Sequence, residues 1–303
     1  GNTMRILITG ANGFLGSNIV DKLLGEGHNI YALSVNNSRL KGKEGIKFES
    51  VKMDNISSKR QKILSFKPDI AIHCAWIGGN SYKDTNDIKQ FDNIRYGLEF
   101  LKILTEVKGL YFVSIGSMAE YGPRKSKLRE ADQENPVSLY GMCKYMFNLY
   151  SKYICESNGL KWLWIRPSYV YGTDDVETRL IPRVISKCLS GENILLDSCS
   201  SIVDYVYIDD FVEGVSKLIS SSSQGVYNIC SGKEYHIKEV LESIIDISNS
   251  EATIIFNRSL DRKGHPDHVC GSNEKICQKT GWSPQVELGQ GLKYIVDPLI
   301  EEK

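Results

Sequence analysis

Tyr140 and Lys144 stand four residues apart, a spacing that puts both side chains on one face of a helix. A tyrosine hydroxyl titrates at about 10 and carries protons poorly at neutral pH, but a neighbouring ammonium lowers that value. So paired, the phenol can donate a proton while a carbonyl is reduced, or take one while an alcohol is oxidised. The spacing alone also occurs on ordinary surface helices. Here Pro136 and Ser138 precede it as a helix start, and YFVSIGSMAEYG upstream reads as a strand entering a loop that carries Ser117.

A second constellation opens the chain, ILITGANGFLGSNIV. Gly10, Gly13 and Gly16 lie where a strand pattern gives way to a helix pattern. Such glycines permit the tight turn, let a pyrophosphate approach the backbone, and let helix and sheet pack closely. The helix N-terminus then offers free N–H donors to phosphate. The strand-then-helix context separates this from a glycine turn without ligand. A carboxylate ending the second strand would accept from a ribose 2′-hydroxyl and repel a 2′-phosphate. This chain has Ser34 there, then Val35-Asn36-Asn37-Ser38-Arg39, with no acid. Ser38 and Arg39 could cradle a phosphate, so NADP is the expected cofactor. NAD is the alternative, with Arg39 a solvated loop charge.

These residues need a scaffold. Apolar strand patterns occupy Met4–Thr9, Asn29–Ser34, Ile46–Val51, Asp69–Cys74, Leu110–Ile115 and Lys161–Arg166, separated by helix-period segments such as Leu15, Ile19, Leu23. Alternation of this kind predicts a doubly wound α/β parallel sheet covered on both faces. After Gly172 the pattern loosens into an acidic loop, a helix over Thr178–Leu189, a seventh strand over Ser201–Tyr207 and a helix over Asp209–Ser220. Ser220–Ser223 and Gly225 read as a surface turn. The expected division is a dinucleotide-binding part over 1–172 with 201–235, and a smaller substrate lobe over 173–200 and 236–303.

The 303 residues carry 37 basic and 37 acidic side chains, a balance that argues against a nucleic-acid partner. The chain is long enough to bury about three quarters of its unfolded surface without staples. Its eight cysteines contain no Cys-x-x-Cys pair and fall in apolar runs, as expected of reduced thiols in a cytoplasmic protein. Strand pattern begins almost at once, so neither a leader peptide nor a membrane span is expected; Gly1 reads as an expression remnant. His265, His268 and Cys270 match no zinc spacing and read as loop residues. Asp174, Asp175 and Glu177 read as an acidic surface loop, Asp209 and Asp210 as helix-start charges, and His73 as a hydrogen-bonded core histidine.

In order along the chain, the glycine turn, Asp54, Ile72–Trp76 (IHCAW), Asn93, Ser117 with Tyr121-Gly122, Tyr140 with Lys144, Arg166–Gly172 (RPSYVYG), Val203–Asp210 (VDYVYIDD), Leu260–His265 (LDRKGH) and GWSP resemble the extended short-chain dehydrogenase/reductase family of nucleotide-sugar epimerases, dehydratases and reductases. That resemblance implies Ser117, Tyr140 and Lys144 as the catalytic set, Ser117 bonding the reacting oxygen and Lys144 also holding the nicotinamide ribose. It implies dinucleotide contacts at Gly10, Gly13, Phe14, Leu15, Gly16, Ser34, Ser38, Arg39, Asp54, Asn55, Cys74, Ala75, Trp76, Asn93, Ser114, Tyr140, Lys144 and Pro167. Substrate contacts fall to Ser117, Glu120, Tyr169, Thr178, Arg179 and Arg262, and no metal is implied.

Departures from the family pattern narrow the reaction. Dehydratases carry an Asp-Glu pair after the Ser/Thr, where this chain has Met118 and Ala119. A diphosphate-binding arginine of the family is replaced by Val203, and a sugar-nucleotide asparagine by Tyr169, while Arg262 matches the other arginine. The expected activity is reduction of the 4-keto group of a nucleoside-diphosphate 6-deoxyhexose. Alternatives are a 4-epimerase with retained NAD and a catalytically silent dinucleotide sensor. Relatives pair two long helices from each subunit, here about Asp87–Val107 and Ser138–Glu156, so a homodimer is expected. The stripes that would form it are Phe91, Ile94, Leu98, Leu101 and Met142, Tyr145, Met146, Leu149, Tyr153.

Overall fold

In the computed structural model, which describes residues 2–79, 84–263 and 265–303, seven parallel strands form the main sheet. The strands of the chain are β1 (Arg5–Thr9), β2 (Asn29–Ser34), β3 (Ile46–Ser50), β4 (Ile70–His73), β5 (Tyr111–Ile115), β6 (Lys161–Pro167), β7 (Tyr169–Tyr171), β8 (Ile194–Leu196), β9 (Ile202–Val203), β10 (Tyr205–Tyr207), β11 (Gly225–Ile229), β12 (Tyr235–His236) and β13 (Ile254–Phe256). The helices are α1 (Phe14–Gly25), α2 (Arg60–Phe66), α3 (Gln90–Leu104), α4 (Leu139–Ser157), α5 (Leu180–Ser190), α6 (Ile208–Ser220), α7 (Ile237–Ser248), α8 (Glu274–Thr280) and α9 (Leu288–Glu301).

The main sheet runs β11-β6-β5-β4-β1-β2-β3. Its central strands are apolar on both faces because helices cover both: α1 and α6 pack together on one side, α3 and α4 on the other. Strand order reverses between β1 and β4, and the crevice at the carboxyl ends of strands at such a switch point is where α/β sheets take ligands. Three two-stranded sheets, β7 with β10, β9 with β12 and β8 with β13, and the helices α5, α7 and α9 build the smaller lobe. No helix among the described residues is long and apolar enough to cross a membrane.

The first six strand patterns lie within a residue of the observed strands. The seventh strand of the main sheet is not Ser201–Tyr207 but β11, directly after the serine turn. Ser201–Tyr207 instead breaks into β9 and β10 at Asp204. The fully buried Asp204 carboxylate accepts from the backbone N–H groups of Ser231, Gly232 and Gly271 and from the Ser231 hydroxyl. Those bonds tie down a chain that changes partners there, from β12 to β7. Asp210 likewise reaches away from its own helix: its carboxylate accepts from the Gln285 and Val286 N–H groups and anchors the segment before α9.

Candidate active site

A cleft of about 1350 Å³ runs from the glycine turn, across the carboxyl ends of the strands, to the smaller lobe. At its floor Gly10 adopts φ +62°, and a Cβ there would meet the Ala75 backbone N at 2.7 Å. Gly16 is tighter still: a Cβ would lie 2.1 Å from the Gly10 carbonyl oxygen. Gly13, whose Cβ would have the Gly10 carbonyl as its one close neighbour, lines the cleft ahead of α1. The first turn of α1 carries no acid, so its positive end faces the cleft unopposed. This is the backbone geometry that holds a pyrophosphate.

Phe14, Leu15, Ser34, Asp54, Cys74, Ala75, Trp76 and Pro167 line the same cleft. Ser38, Arg39, Asn55, Asn93 and Ser114 lie outside its lining. Asn93 pins the loop after β4, accepting from the Ile77 N–H at 2.8 Å and donating to the Ile77 carbonyl at 2.9 Å. Ser114 is buried within β5, and Asn55 is exposed. Asn12 gathers the loop after β2: it donates to Asn36 and Ser38 and accepts the Arg39 backbone N–H. The Arg39 charge bears on Asp175 across the cleft mouth.

Ser117, Tyr140 and Lys144 converge midway along the cleft. Ser138 caps α4, its hydroxyl accepting from the Gly141 N–H at 3.1 Å, and so sets the register that presents Tyr140 and Lys144 on one face. The Tyr140 backbone N–H is held by the Thr85 carbonyl. Burial pushes the Tyr140 phenol up, while its hydrogen bond with Ser117 and the charge of Arg179 draw it down. Lys144 is 4% exposed and donates to the Ile115 carbonyl at 2.8 Å. Burial pulls its ammonium down to about 8, against the opposing pull of Glu120 and Cys74. A phenol that must gain or lose a proton and an ammonium that stays charged within reach make an acid–base pair for alcohol–ketone chemistry.

Glu120 lies behind this pair, outside the cleft lining. It is fully buried and accepts from the Ser117 N–H at 2.8 Å, Trp164 Nε1 at 3.0 Å and Arg166 Nε at 3.1 Å. Arg166 is itself fully buried and also donates to Glu134 at 2.9 Å. The capping box between Ser117 and Glu120 fixes the backbone from which the Ser117 hydroxyl reaches Tyr140.

The far end of the cleft is built from short elements. Tyr169, Thr178, Arg179 and Arg262 all line it. Both arginine charges bear on the Tyr169 hydroxyl, which burial pushes up. Arg262 approaches Asp197 at 4.0 Å. Its neighbour Gly264, in the LDRKGH segment, lies outside the described residues. Asp175, expected on a surface loop, is nearly buried in the cleft, 3.8 Å from Arg179; their i, i+4 spacing was the available signal. Tyr205, within the VDYVYIDD segment, and Arg183, which no motif in the sequence marks, also line this end. His73 is a core histidine, bonded to the Thr9 hydroxyl at 2.7 Å and pushed down to about 3 by burial. His268 pairs with Glu234, and Cys270 is buried beside Asp204.

Residues 6–230 match the profile of the NAD dependent epimerase/dehydratase family. Over 300 residues the chain is 25% identical to a putative UDP-glucose 4-epimerase of Methanocaldococcus jannaschii, covering 96% of this chain and 97% of that one. Among solved structures it superposes on the UDP-glucose 4-epimerase of Thermotoga maritima, solved with UDP-glucose, with a TM-score of 0.89 at 24% identity, covering 99% of each chain. The Thermus thermophilus UDP-glucose 4-epimerase, solved with NAD, gives a TM-score of 0.88 at 24% identity over 97% of this chain and 98% of that one. NAD is also the dinucleotide in further similar structures. The expectation of NADP is thereby overturned. In this chain Ser38 and Arg39 lie outside the cleft lining, tied to Asn12 through the Ser38 hydroxyl and the Arg39 backbone N–H, so neither is placed there as a cradle for a 2′-phosphate. The chain belongs to the NAD dependent epimerase/dehydratase family, and it is an enzyme of that family.

Proposed function

We propose that the chain is a 4-epimerase of a nucleoside-diphosphate sugar that retains NAD through turnover. The observation that carries this reading is the Ser117, Tyr140 and Lys144 cluster at the midpoint of one continuous cleft. Its volume exceeds the roughly 300–1,000 Å³ that a single small ligand occupies, and it runs between a phosphate-holding turn and a pair of arginines. Epimerase relatives of similar length support the same reading. Gly10, Gly13, Gly16 and the α1 N-terminus would hold the pyrophosphate, and Lys144 the ribose. Bound NAD supplies a site that accepts the hydride from C4 and gives it back.

This chain's residues do the rest. Ser117 holds the C4 oxygen, Tyr140 takes its proton as the alcohol is oxidised, and the Lys144 ammonium stabilises the phenolate. Tyr140 returns the proton once the sugar has presented its other face. Arg179 and Arg262 hold the diphosphate. Met118 and Ala119 offer neither acid nor base, so water is not eliminated. Reduction of a 4-keto group would use the same Ser117, Tyr140 and Lys144, and it stands as the second reading, separated from epimerisation by whether the dinucleotide is retained.

Denaturing the purified protein and identifying the released nucleotide, alongside assays on UDP-glucose, UDP-N-acetylglucosamine and UDP-glucuronic acid, tests the reading. Near-stoichiometric NAD and a C4 epimer are expected. Exchangeable dinucleotide with net reduction of a keto sugar would replace it with a reductase, and bound NAD without any turnover with a sensor.

Assembly and division of labour belong to the same reading. Residues 1–172 with 201–235 hold the dinucleotide, and 173–200 with 236–303 hold the substrate. The outer faces of α3 and α4 pair two subunits. Ile94 and Leu101 are buried within the subunit, whereas Phe91, Met142, Leu149 and Tyr153 are exposed, Tyr153 by 70%. A C2 pairing would cover them. Light scattering should give about twice the 34.1 kDa of the single chain, and the single mass rejects the pairing.

A further inference from the structure

Lys144 sits where an ammonium is costly to keep, and the chemistry proposed for Tyr140 calls for its charge. Its hydrogen-bond acceptor is one carbonyl, that of Ile115. Opposite, the Trp76 ring presents its face, with Nζ 4.1 Å from the ring centroid. Trp76 also stands edge-on to Tyr140, centroids 6.3 Å apart and planes at 88°. The indole is therefore in contact with both members of the acid–base pair.

The indole is itself held. Trp76 Nε1 donates to Gln90 Oε1 at 2.8 Å, and Gln90, only 1% exposed, spends its amide on the carbonyls of Gly78 and Asp84. Asn93 clamps the next residue, Ile77, through both its N–H and its carbonyl. All of the Gln90 side chain's polar atoms thus serve the loop that carries Trp76. The tryptophan loop is supported from two positions of α3, Gln90 and Asn93.

We propose that Trp76 is a positioning residue whose indole face fixes the Lys144 ammonium and keeps it charged beside Tyr140. A cation over an aromatic face is held by the ring quadrupole, and more strongly where water is excluded. The other groups facing Lys144 are the Glu120 carboxylate from the turn after β5, the Cys74 thiol and His73 imidazole from the end of β4, and Tyr140 on its own helix. Burial pushes the Cys74 thiol up, so its pull on Lys144 comes only once it ionises, and His73 is neutral. Glu120 pulls on Lys144 but is shared with Arg166, so the Ile115 carbonyl and the indole face are the groups in direct contact with the ammonium.

The proposal rests on the tyrosine–lysine reading, so its test includes a readout that needs no substrate. Competitive acetylation with acetic anhydride across pH, resolved by mass spectrometry, reports the titration of Lys144 in the protein as purified. W76L should lower the Lys144 midpoint by about one pH unit, while W76F, which keeps an aromatic face, should stay within about half a unit of the parent. With substrate, W76L should lose roughly tenfold in kcat with KM and retained NAD unchanged, and W76F should recover most of it. An unchanged Lys144 midpoint in W76L overturns the proposal whatever the activity, as does loss of NAD without a midpoint shift, which would make Trp76 a wall of the dinucleotide site only. If W76L fails to fold, W76M, which also lacks the ring, serves the same comparison. A parent without turnover on any nucleotide sugar sinks the functional reading and leaves the midpoint result standing.

Discussion

The two ends of the cleft are made of different material. At the dinucleotide end backbone comes closest to the cleft, at the glycine turn and the opening of α1, packed so closely that a Cβ on Gly16 would fall 2.1 Å from another backbone atom, with side chains such as Phe14, Ser34 and Asp54 around it. At the substrate end it is side chains, Tyr169, Arg179, Tyr205 and Arg262, carried on three-residue strands and connecting segments. A backbone surface tolerates few residue types and recognises what many ligands share, a pyrophosphate. A side-chain surface can be rewritten one residue at a time, which is how one fold serves many substrates.

The largest effect should come where the two ends meet. Replacing Tyr140 by Phe removes the proton carrier without altering the cleft walls, and should lower kcat by about 10³-fold, or about 4 kcal/mol, with NAD still retained. Steady-state turnover beside nucleotide release measures both. Loss of NAD together with turnover would mean that Tyr140 belongs to the dinucleotide end.

Gly16→Ala should be the next most damaging change. The added methyl must displace the Gly10 turn rather than a flexible side chain, at a cost of about 2–3 kcal/mol. Denaturant unfolding should show that loss, and the purified variant should carry little NAD. An alanine accepted without loss of stability would show that the turn is less rigid than its packing indicates.

Acid should weaken the fold through a core histidine at the end of β4. Burial holds the His73 imidazole at about 3, below its value in the unfolded chain, about 6.5. The unfolded chain therefore takes up the proton first. Stability from this group is complete above pH 6.5 and falls as pH drops toward 3, by about 2 kcal/mol at pH 5. Denaturant unfolding at pH 7 and pH 5 measures the slope, which should shrink in H73Q. An identical slope in that variant would assign the acid sensitivity elsewhere.

The same contrast explains what could be read in advance. Glycine spacing, fully apolar strands and Tyr140 with Lys144 are local patterns, and the sheet and the dinucleotide turn follow from them. β11 was hidden because Gly225 follows a serine turn and the strand's burial is settled by α8 and β6, far away in sequence. Glu120 looked like a substrate ligand from its motif. Its partners Trp164 and Arg166 lie on β6, more than forty residues on, and nothing near Glu120 announces them. The Asn12 contacts with Ser38 and the Arg39 backbone likewise join two loops some 26 residues apart, and nothing in the acid-free loop itself announces them.

The smallest effect should come from the substrate end. Tyr169 lines the cleft with its hydroxyl within the fields of Arg179 and Arg262, and a phenol is neutral at working pH. Tyr169→Phe removes one neutral hydroxyl from a wall that is 39% exposed, so water can take over part of its role. A neutral hydrogen bond contributes about 0.5–1.5 kcal/mol, which is roughly a twofold to tenfold fall in kcat/KM. The fall should lie in KM, because the hydroxyl helps to hold the substrate and takes no part in proton transfer. Stability and retained NAD should match the parent within error. A loss in kcat approaching that of Tyr140→Phe would break the comparison, since Tyr169 would then act on the reacting centre. Equal kcat/KM for one nucleotide sugar and a fall for another would sharpen it, because a wall built of separate side chains should discriminate among substrates one contact at a time.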